Sequence, residues 1–527
     1  MNSPLFSNLK AMPALFAILI AGTLKSNAQM TLTGQVRVRG EIRDGLANLV
    51  PQDSKQAAFL SQRTRLNFGY KWDRVLFGAS VQDVRVWGQD ASTISNADGN
   101  RLMLHEGWAE ITLANKADTT IGFKLVDNLS LKLGRQELIY DDVRLLGNLD
   151  WLQQGRRFDM ALLKVGHQGW QVDLGFAFNQ NTDAFNTVNT IYVPGNVPAY
   201  VKDSKGNLVP TPTGLVPITS GGNITNNSSK AGAPAYSNPP STNGANQDYK
   251  TFTSLYISRK YNQTKFSVLV FYDNFGKYRL DSVATSGAGT PTAGYVYGRR
   301  FDQTGVNNRL TYGLMVNHTL GNASGFGKIA FQGAYYQQSG DDRDGNKLDA
   351  HHYTISALYS KGKFSFGPGY DVLSGNDANK IKPGKSNRFD PLYGTPHKHW
   401  GYMDYFYVGT GSPAGGLNNA YFKAKFTTND FSLGADYHYF ELNNPMKTAS
   451  GASLKKYLGS EIDLIANYTL NKFTNVEFGY SIMKASNSLA AAKSQDLTKS
   501  YDKTGKWAYL MINIKPDFFY SKPVAVK

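Results

Sequence analysis

A chain of 527 residues without a single cysteine cannot be a disulfide-stapled scaffold, and it excludes zinc–thiolate and thiol chemistry. Aromatic residues make up 13% of the chain, yet the mean hydropathy is only −0.38, a combination typical of a membrane barrel with aromatic girdles and a wet interior. The formal net charge of +16 favours anionic partners.

Residues 1–28 have the three parts of a secretory signal peptide. The weakly basic MNSPLFSNLK precedes the apolar run AMPALFAILIAG, and Ser26-Asn27-Ala28 forms a small-x-small end. The apolar run is too short to span a bilayer comfortably. We therefore expect export, cleavage after Ala28, a single barrel domain over 29–520 and a tail at 521–527.

The mature chain is a series of segments in which apolar and polar residues alternate. In 63-RTRLNFGY-70, apolar and aromatic side chains share one face while Arg63 and Arg65 share the other. Successive side chains of a strand point to opposite faces, so this pattern predicts a strand that is apolar outside and polar inside. The pattern recurs at 170–179, 418–426 and 460–470.

The connections between these segments alternate between short and long. Short connections lie at 72–73, 115–127, 167–169, 262–263, 321–325, 361–362, 428–430 and 471–472. Long polar ones lie near 44–57, 88–103, 140–154, 181–248, 276–305, 340–350, 376–416, 442–457 and 487–505. Eight short turns and nine long loops join 18 strands, with both termini in the periplasm. A soluble propeller or sandwich gives no reason for every second connection to be long.

The predicted fold is thus all-β: a transmembrane antiparallel β-barrel of about 18 strands, with short periplasmic turns and long extracellular loops. The longest insertion, 181–248, is rich in Asn, Thr, Pro, Gly and Ser. Its composition favours a mobile surface loop, and a plug folded into the lumen is the alternative.

Signatures of enzymes and metal sites are missing from the sequence. There is no GxSxG, GxxxxGK[ST] or HExxH pattern. The acidic stretch 341–349 is similar to a calcium loop but lacks its bidentate glutamate, and His351-His352 and His397/His399 have no third ligand nearby. We expect no catalysis, no cofactor, no bound metal and no nucleic-acid partner.

Paired arginines are the strongest functional signal. Alternation puts Arg37 and Arg39 on one face of the first strand and Arg63 and Arg65 on one face of the second. The remaining candidates of this kind are Arg85, which shares a face with Asp83, and Lys423 and Lys425 of a later strand. Inside a barrel such rows form a ladder of cations, and guanidinium groups bind carboxylates with two parallel hydrogen bonds. The alternative is that interior arginine–carboxylate pairs only brace the wall.

The stretch 133-LGRQELIYDDVRLLGNLDWLQQGRRFD-159 is predicted to be a hairpin. One strand carries Arg135 and ends near residue 139, an extracellular loop carries Asp141, Asp142 and Arg144, and a second strand starts at residue 155. Arg156 and Arg157 are neighbours, so only one of them can face the lumen. The period favours Arg157, together with Asp159.

Four stretches resemble the alginate-export family of outer-membrane barrels, over roughly Thr31 to Phe519. They are residues 134–159, 63–70, 374-SGND-377 and 388-RFDPLYGTPHKHWGYMD-404. The resemblance implies an 18-stranded barrel with an arginine-rich conduit for an acidic exopolysaccharide, gated by an extracellular and a periplasmic loop. It further implies a constriction formed by Arg65, Arg135, Arg144 and either Arg156 or Arg157, with Asp159 as a carboxylate partner.

The expected function is a passive outer-membrane channel with a basic lumen for an alginate-like polysaccharide or another anionic solute. Expected partners are outer-membrane lipid, lipopolysaccharide and periplasmic export machinery. Two alternatives stay open: an uptake porin for small carboxylates, which would use the same ladder inward, and a structural or adhesive barrel whose loops bind surface polymers.

Overall fold

The computed structural model describes residues 28–88, 102–118, 123, 125–180, 200–219, 233–234, 249–285, 294–380, 382–406, 412–448 and 450–521. Eighteen barrel strands, β1 to β18 in chain order, run over Gln29–Asp44, Ala57–Trp72, Val75–Val86, Leu102–Asn115, Asn128–Gln136, Phe158–His167, Trp170–Phe178, Tyr249–Tyr261, Thr264–Gly276, Val306–Asn322, Gly327–Asp341, Lys347–Lys361, Phe364–Leu373, Leu417–Thr427, Phe431–Glu441, Tyr457–Asn471, Thr474–Ala485 and Thr504–Ile514.

The barrel closes between its first and last strands. Each strand pairs antiparallel with its chain neighbours, and β1 pairs with β18 through a register that sets Arg37 opposite Asn513. A last strand, Asp517–Ser521, continues this seam beside the start of β1. Closure leaves no sheet edge, as a membrane-spanning sheet requires. The prediction of an 18-stranded antiparallel barrel is confirmed.

Small elements occupy the long connections. Five of the short strands are Tyr200–Lys202, Leu208–Pro210, Leu215–Thr219, Arg279–Thr285 and Gly294–Arg300, with Ala233–Pro234 and Lys385–Ser386 shorter still. Within the described residues, the helical elements are a 3₁₀ turn, Pro396–Lys398, and an α-helix, Leu489–Ala492. No helix in the described part of the chain is both long and apolar enough to cross a bilayer.

The two faces of the wall differ as the alternation predicts. Leu66, Leu174 and Phe176 are about half exposed, whereas Arg63 and Asp173 are buried. In a closed barrel the exposed apolar side chains face the lipid and the buried polar ones face the interior. The predicted alternation at 63–70 and 170–179 is therefore confirmed, and the same holds for 418–426 and 460–470.

Two long loops fold into the barrel and fill it. Leu145, Leu146 and Leu149 from residues 137–157 join one apolar cluster with Tyr393 and Trp400 from residues 388–406. We call these two segments the inner plug. The loop carrying Asp141, Asp142 and Arg144 joins the extracellular ends of β5 and β6, as predicted, but it folds inward, and packing inside the barrel removes its leucines from water.

The 181–248 insertion is described only at 200–219 and 233–234. Those parts pair with the neighbouring loop, Leu215–Thr219 lying beside Gly294–Arg300. They have an apolar cluster of their own, separate from the cluster that contains the inner plug. The expected signal peptide, apart from Ala28, and residues 522–527 of the expected tail lie outside the described residues.

Candidate functional site: the arginine row and the inner plug

Strands β1 and β2 set four arginines side by side on the inner wall. Arg37 lies directly opposite Arg63, and Arg39 and Arg65 continue the row on either side. Arg37, Arg39 and Arg63 are all buried. Because these positive charges lie close together and have little contact with water, their guanidinium groups need hydrogen bonds to oxygen acceptors.

The inner plug supplies those acceptors from residues 150–153. Arg37 donates from Nη1 to the Asp150 carbonyl oxygen (2.7 Å) and from Nη2 to the Leu152 carbonyl oxygen (2.9 Å). Arg39 donates to the Trp151 carbonyl oxygen (2.9 Å). Arg63 pairs with the Asp150 carboxylate, with 2.9 Å between Nη2 and Oδ1. Main-chain carbonyls and one carboxylate of the plug thus bind the arginine row, in addition to Glu41 of the wall, which pairs with Arg39 (2.8 Å).

The charge state of Asp150 is fixed by this setting. Partial loss of hydration beside the wall would by itself raise the pKa of its carboxyl group, but the positive charges of Arg63 and Arg37 outweigh this effect and lower the pKa to about 2. Asp150 is therefore ionised at any physiological pH. An ionised carboxylate is therefore a group that this arginine row binds.

Trp151 joins the plug to the wall. The Arg39 guanidinium lies 4.3 Å from the centre of its ring, and the ring stacks on His397 with centroids 4.4 Å apart. Trp507 of β18 meets the same ring edge-on, at 5.7 Å. One aromatic side chain therefore contacts both plug segments and two adjoining wall strands.

The two plug segments are also bonded to each other. Gly147 N–H donates to the Tyr393 carbonyl oxygen (3.0 Å), and Thr395 N–H donates to the Val143 carbonyl oxygen (2.8 Å). At Gly394 a Cβ atom would overlap the Arg144 carbonyl oxygen, so the close approach of the two backbones requires glycine there.

Buried ion pairs fix the plug to the opposite parts of the wall. Arg144 pairs with Asp142 (3.1 Å) and with Asp371 of β13 (2.9 Å). Burial opposes the charge of Arg144, but the two carboxylates outweigh it and raise the pKa of the guanidinium. Arg309 of β10 similarly pairs with Asp390 of the plug (3.3 Å). These ion pairs support the alternative that interior arginine–carboxylate pairs brace the wall.

A cavity of about 580 Å³ lies on the periplasmic side of the plug. Its acidic and basic lining residues are Asp142, Arg144, Lys398, His399, Lys423, Lys425, Asp436, Asp463 and Glu477. Lys423 pairs with Asp436 (2.6 Å), and Lys425 has no ion pair within the described part of the chain. Burial and the Arg144 charge lower the pKa of His399 well below its usual value, so this ring is neutral. The cavity is therefore of mixed charge.

Three sequence-predicted lumen residues lie on the outer face instead. Arg135 and Asp159 are cross-strand partners whose charged atoms approach to 2.7 Å, and they alternate with the inward-facing Gln136 and Phe158. Arg85 pairs with Asp83 (2.6 Å) and alternates with buried Val84. The expectation that Arg85, Arg135 and Asp159 line the lumen is therefore corrected.

Arg156 and Arg157 both lie on the inner side. Arg156 donates to the Gly394 carbonyl oxygen (2.6 Å), and Arg157 Nη2 lies 3.6 Å from the Met103 sulfur on the inner wall. Both residues precede β6, which begins at Phe158, so strand alternation does not apply to them. The expectation that only one of the two can face inward is wrong.

Asp150, Trp151 and His397 are site residues that sequence reasoning missed. A signal was present, because a water-exposed loop gains nothing from the run of leucines at 145, 146, 149 and 152. Such a run of leucines in an extracellular loop indicates that the loop packs against another part of the protein.

The closed barrel, its lipid-facing apolar band and its plugged polar interior define an outer-membrane β-barrel with the fold of a porin. Residues 28–179 match the family model described as Alginate export. That span holds the whole arginine row and the first plug segment.

Solved structures share this fold at low sequence identity. Acinetobacter baumannii OccAB1 aligns with a TM-score of 0.52 and 12% identity over 94% of this chain and 97% of that one. Pseudomonas aeruginosa OccK9 (OpdG) aligns with a TM-score of 0.50 and 10% identity over 93% of this chain and 98% of that one. Pseudomonas aeruginosa OpdL aligns with a TM-score of 0.50 and 12% identity over 93% of this chain and 99% of that one. No curated protein matches the sequence.

Proposed function

We propose that the protein is a passive outer-membrane channel in which the arginine row conducts carboxylate-bearing solutes, with an alginate-like polyuronate as the favoured substrate. One observation carries the proposal: the row of Arg37, Arg39, Arg63 and Arg65 already holds a carboxylate, that of Asp150, within the barrel. A uronate carboxylate presents the same group to the same donors.

The row suits transfer rather than tight capture. Arg65 is bonded to the neutral Gln82 amide (2.7 Å) and has no ion pair among the residues that the structure describes. Arg37 and Arg63 share the Asp150 carboxylate, and Arg37 also donates to the main-chain carbonyls of Asp150 and Leu152. Several sites of moderate strength let an anion enter and also leave, as conduction requires.

The plug acts as a gate in this proposal. Its segment 150–153 occupies the arginine row with acceptors of the same kind as the solute, so conduction requires that this segment moves aside. The Alginate export match, which covers the row and this segment, supports a polymer over a small carboxylate. Periplasmic export machinery and outer-membrane lipid are the partners that such a channel implies.

Current block by uronates tests the substrate class. In planar bilayers an oligouronate should block the wild-type current at lower concentration than its monomer, because several carboxylates can contact several arginines at once. Arg65→Ser should weaken the oligomer block, and the outer-face variant Arg85→Ser should not. Equal block by monomer and oligomer would point to uptake of small carboxylates, and no block by either would contradict the proposal.

A further inference from the structure

A second polar cavity, of about 600 Å³, lies at the extracellular end of β12. Residues 374–380 and 382–387 form its outer boundary. Ser374 N–H donates to the His351 carbonyl oxygen (2.9 Å), Asn387 Nδ2 donates to the Asp349 carbonyl oxygen (2.7 Å), and Lys347 N–H donates to the Gly384 carbonyl oxygen (2.8 Å). We call this cavity the rim pocket.

The rim pocket opens on the outer face of the wall. Of the β12 residues that line the pocket, Leu348 is buried on the inner side, whereas Lys347, Asp349 and His351 alternate with it and point outward. The pocket is thus separated from the arginine row by the sheet itself.

Tyrosines locate this pocket relative to the membrane. The His351 ring lies parallel to those of Tyr335 and Tyr353, with centroids 6.3 and 6.4 Å away, and both tyrosines are exposed on the outer face. Exposed tyrosines at the end of a barrel mark the girdle at the membrane–water interface. The rim pocket therefore lies at the level of the outer-leaflet headgroups.

The lining is rich in cations and amides. Four lysines, Lys347, Lys380, Lys382 and Lys385, meet only two carboxylates, Asp349 and Asp377. Lys347 pairs with Asp341 (2.7 Å) and Lys380 with Asp377 (3.7 Å). Lys382 and Lys385 have no ion pair within the described ranges. The amides of Asn376, Asn387, Asn443 and Asn444 add hydrogen-bonding groups suited to sugar hydroxyls.

We infer that the rim pocket binds the phosphorylated sugar headgroup of lipopolysaccharide in the outer leaflet. Lysines at headgroup level attract phosphate, amides bind the sugar, and the girdle tyrosines below contact the acyl chains. A soluble polyuronate is the weaker occupant because the pocket faces the lipid side of the wall and not the lumen. The assignment does not depend on what the channel conducts.

Native mass spectrometry of the detergent-solubilised full chain tests the rim pocket with three probes: diphosphorylated lipid A, dephosphorylated lipid A and an oligouronate. Lys382→Gln with Lys385→Gln should weaken binding of the diphosphorylated probe about 10- to 30-fold. The matched control is Lys361→Gln with Lys363→Gln, at a periplasmic turn, which should bind like the wild type. All four lysines are exposed, so both variants should retain the barrel's circular dichroism.

Three results would overturn the inference. The pocket variant could bind the diphosphorylated probe as tightly as the control does. Dephosphorylated lipid A could bind the wild type equally well, which would assign binding to the acyl chains alone. The oligouronate could lose binding in the pocket variant while lipid A does not, which would make the pocket a polysaccharide site.

Discussion

Replacing Asp150 by Asn should loosen the inner plug from the arginine row. The substitution keeps the size of the side chain, and the hydrogen bond from Arg37 to the main-chain carbonyl of residue 150 remains. It removes the carboxylate that Arg63 and Arg37 share. Two buried guanidinium groups then face each other with only neutral acceptors. The closed position of the plug should lose stability relative to the open one.

The size of the effect follows from exposure. The Asp150 side chain is 51% exposed, which limits the lost attraction to about 1 kcal/mol. Arg37 and Arg63 are buried, and leaving buried charges without their partner raises the cost toward about 3 kcal/mol. A change of about 1 to 3 kcal/mol corresponds to a roughly 5- to 150-fold rise in the ratio of open to closed channel.

Single-channel recording measures that ratio directly. Asp159→Asn, which breaks an ion pair on the outer face, is the matched control and should leave the ratio unchanged. The pKa of Asp150 is lowered, so its contribution is complete above the ordinary aspartate value near ~4 and is lost only as the pH falls toward about 2. The difference between Asp150→Asn and wild type should therefore be constant from about pH 5 to 8. A folded Asp150→Asn channel with an unchanged ratio, or an equal effect of Asp159→Asn, would refute this reasoning.

Three further predictions concern the plug and the wall. Gly394→Ala should separate the two plug segments, because the new methyl group overlaps the Arg144 carbonyl oxygen, and should therefore raise protease sensitivity and conductance. The control Gly333→Ala, where the new methyl group meets open space, should change neither. Trp151→Ala should raise the ratio of open to closed channel roughly 30-fold, since it removes one stacking and one cation–π contact worth about 1 kcal/mol each. An unchanged ratio would show that backbone contacts alone hold the plug. Arg135→Ala should lower the free energy of unfolding in urea by less than about 1 kcal/mol and leave the current unchanged. A large loss of current would show that Arg135 contacts the solute.

The barrel itself was predictable because it depends on local rules. The alternation at 63–70 fixes which side chains share a face, and the succession of short and long connections fixes the number and direction of the strands. Both signals are properties of short stretches of sequence. The 18 strands and their closure follow from them.

The inner plug was not predictable from the same rules, because inward folding depends on what the wall offers to a loop. Asp150 becomes a partner only when Arg37 and Arg63 lie beside it, more than eighty residues away in the chain. Composition alone indicated that residues 145–152 are too apolar for water. It did not indicate which surface would cover them.

The outer-face arginines escaped prediction for a different reason. An alternating pattern separates the two faces of a strand, but it identifies the inner one only where a face is clearly apolar. Arg135 alternates with Gln136, so both faces of β5 carry polar residues at this end of the wall. The inner face is recognisable only from the closed sheet, where Gln136 is buried and Asp159 is exposed.

The reversal potential across a salt gradient tests most directly whether the arginine row filters the solute. The wild-type channel should prefer anions, Arg65→Ser should shift the potential toward that of an unselective pore, and the outer-face variant Arg85→Ser should leave it in place. A wild-type preference for cations, or the same shift in both variants, would contradict the role assigned to the row.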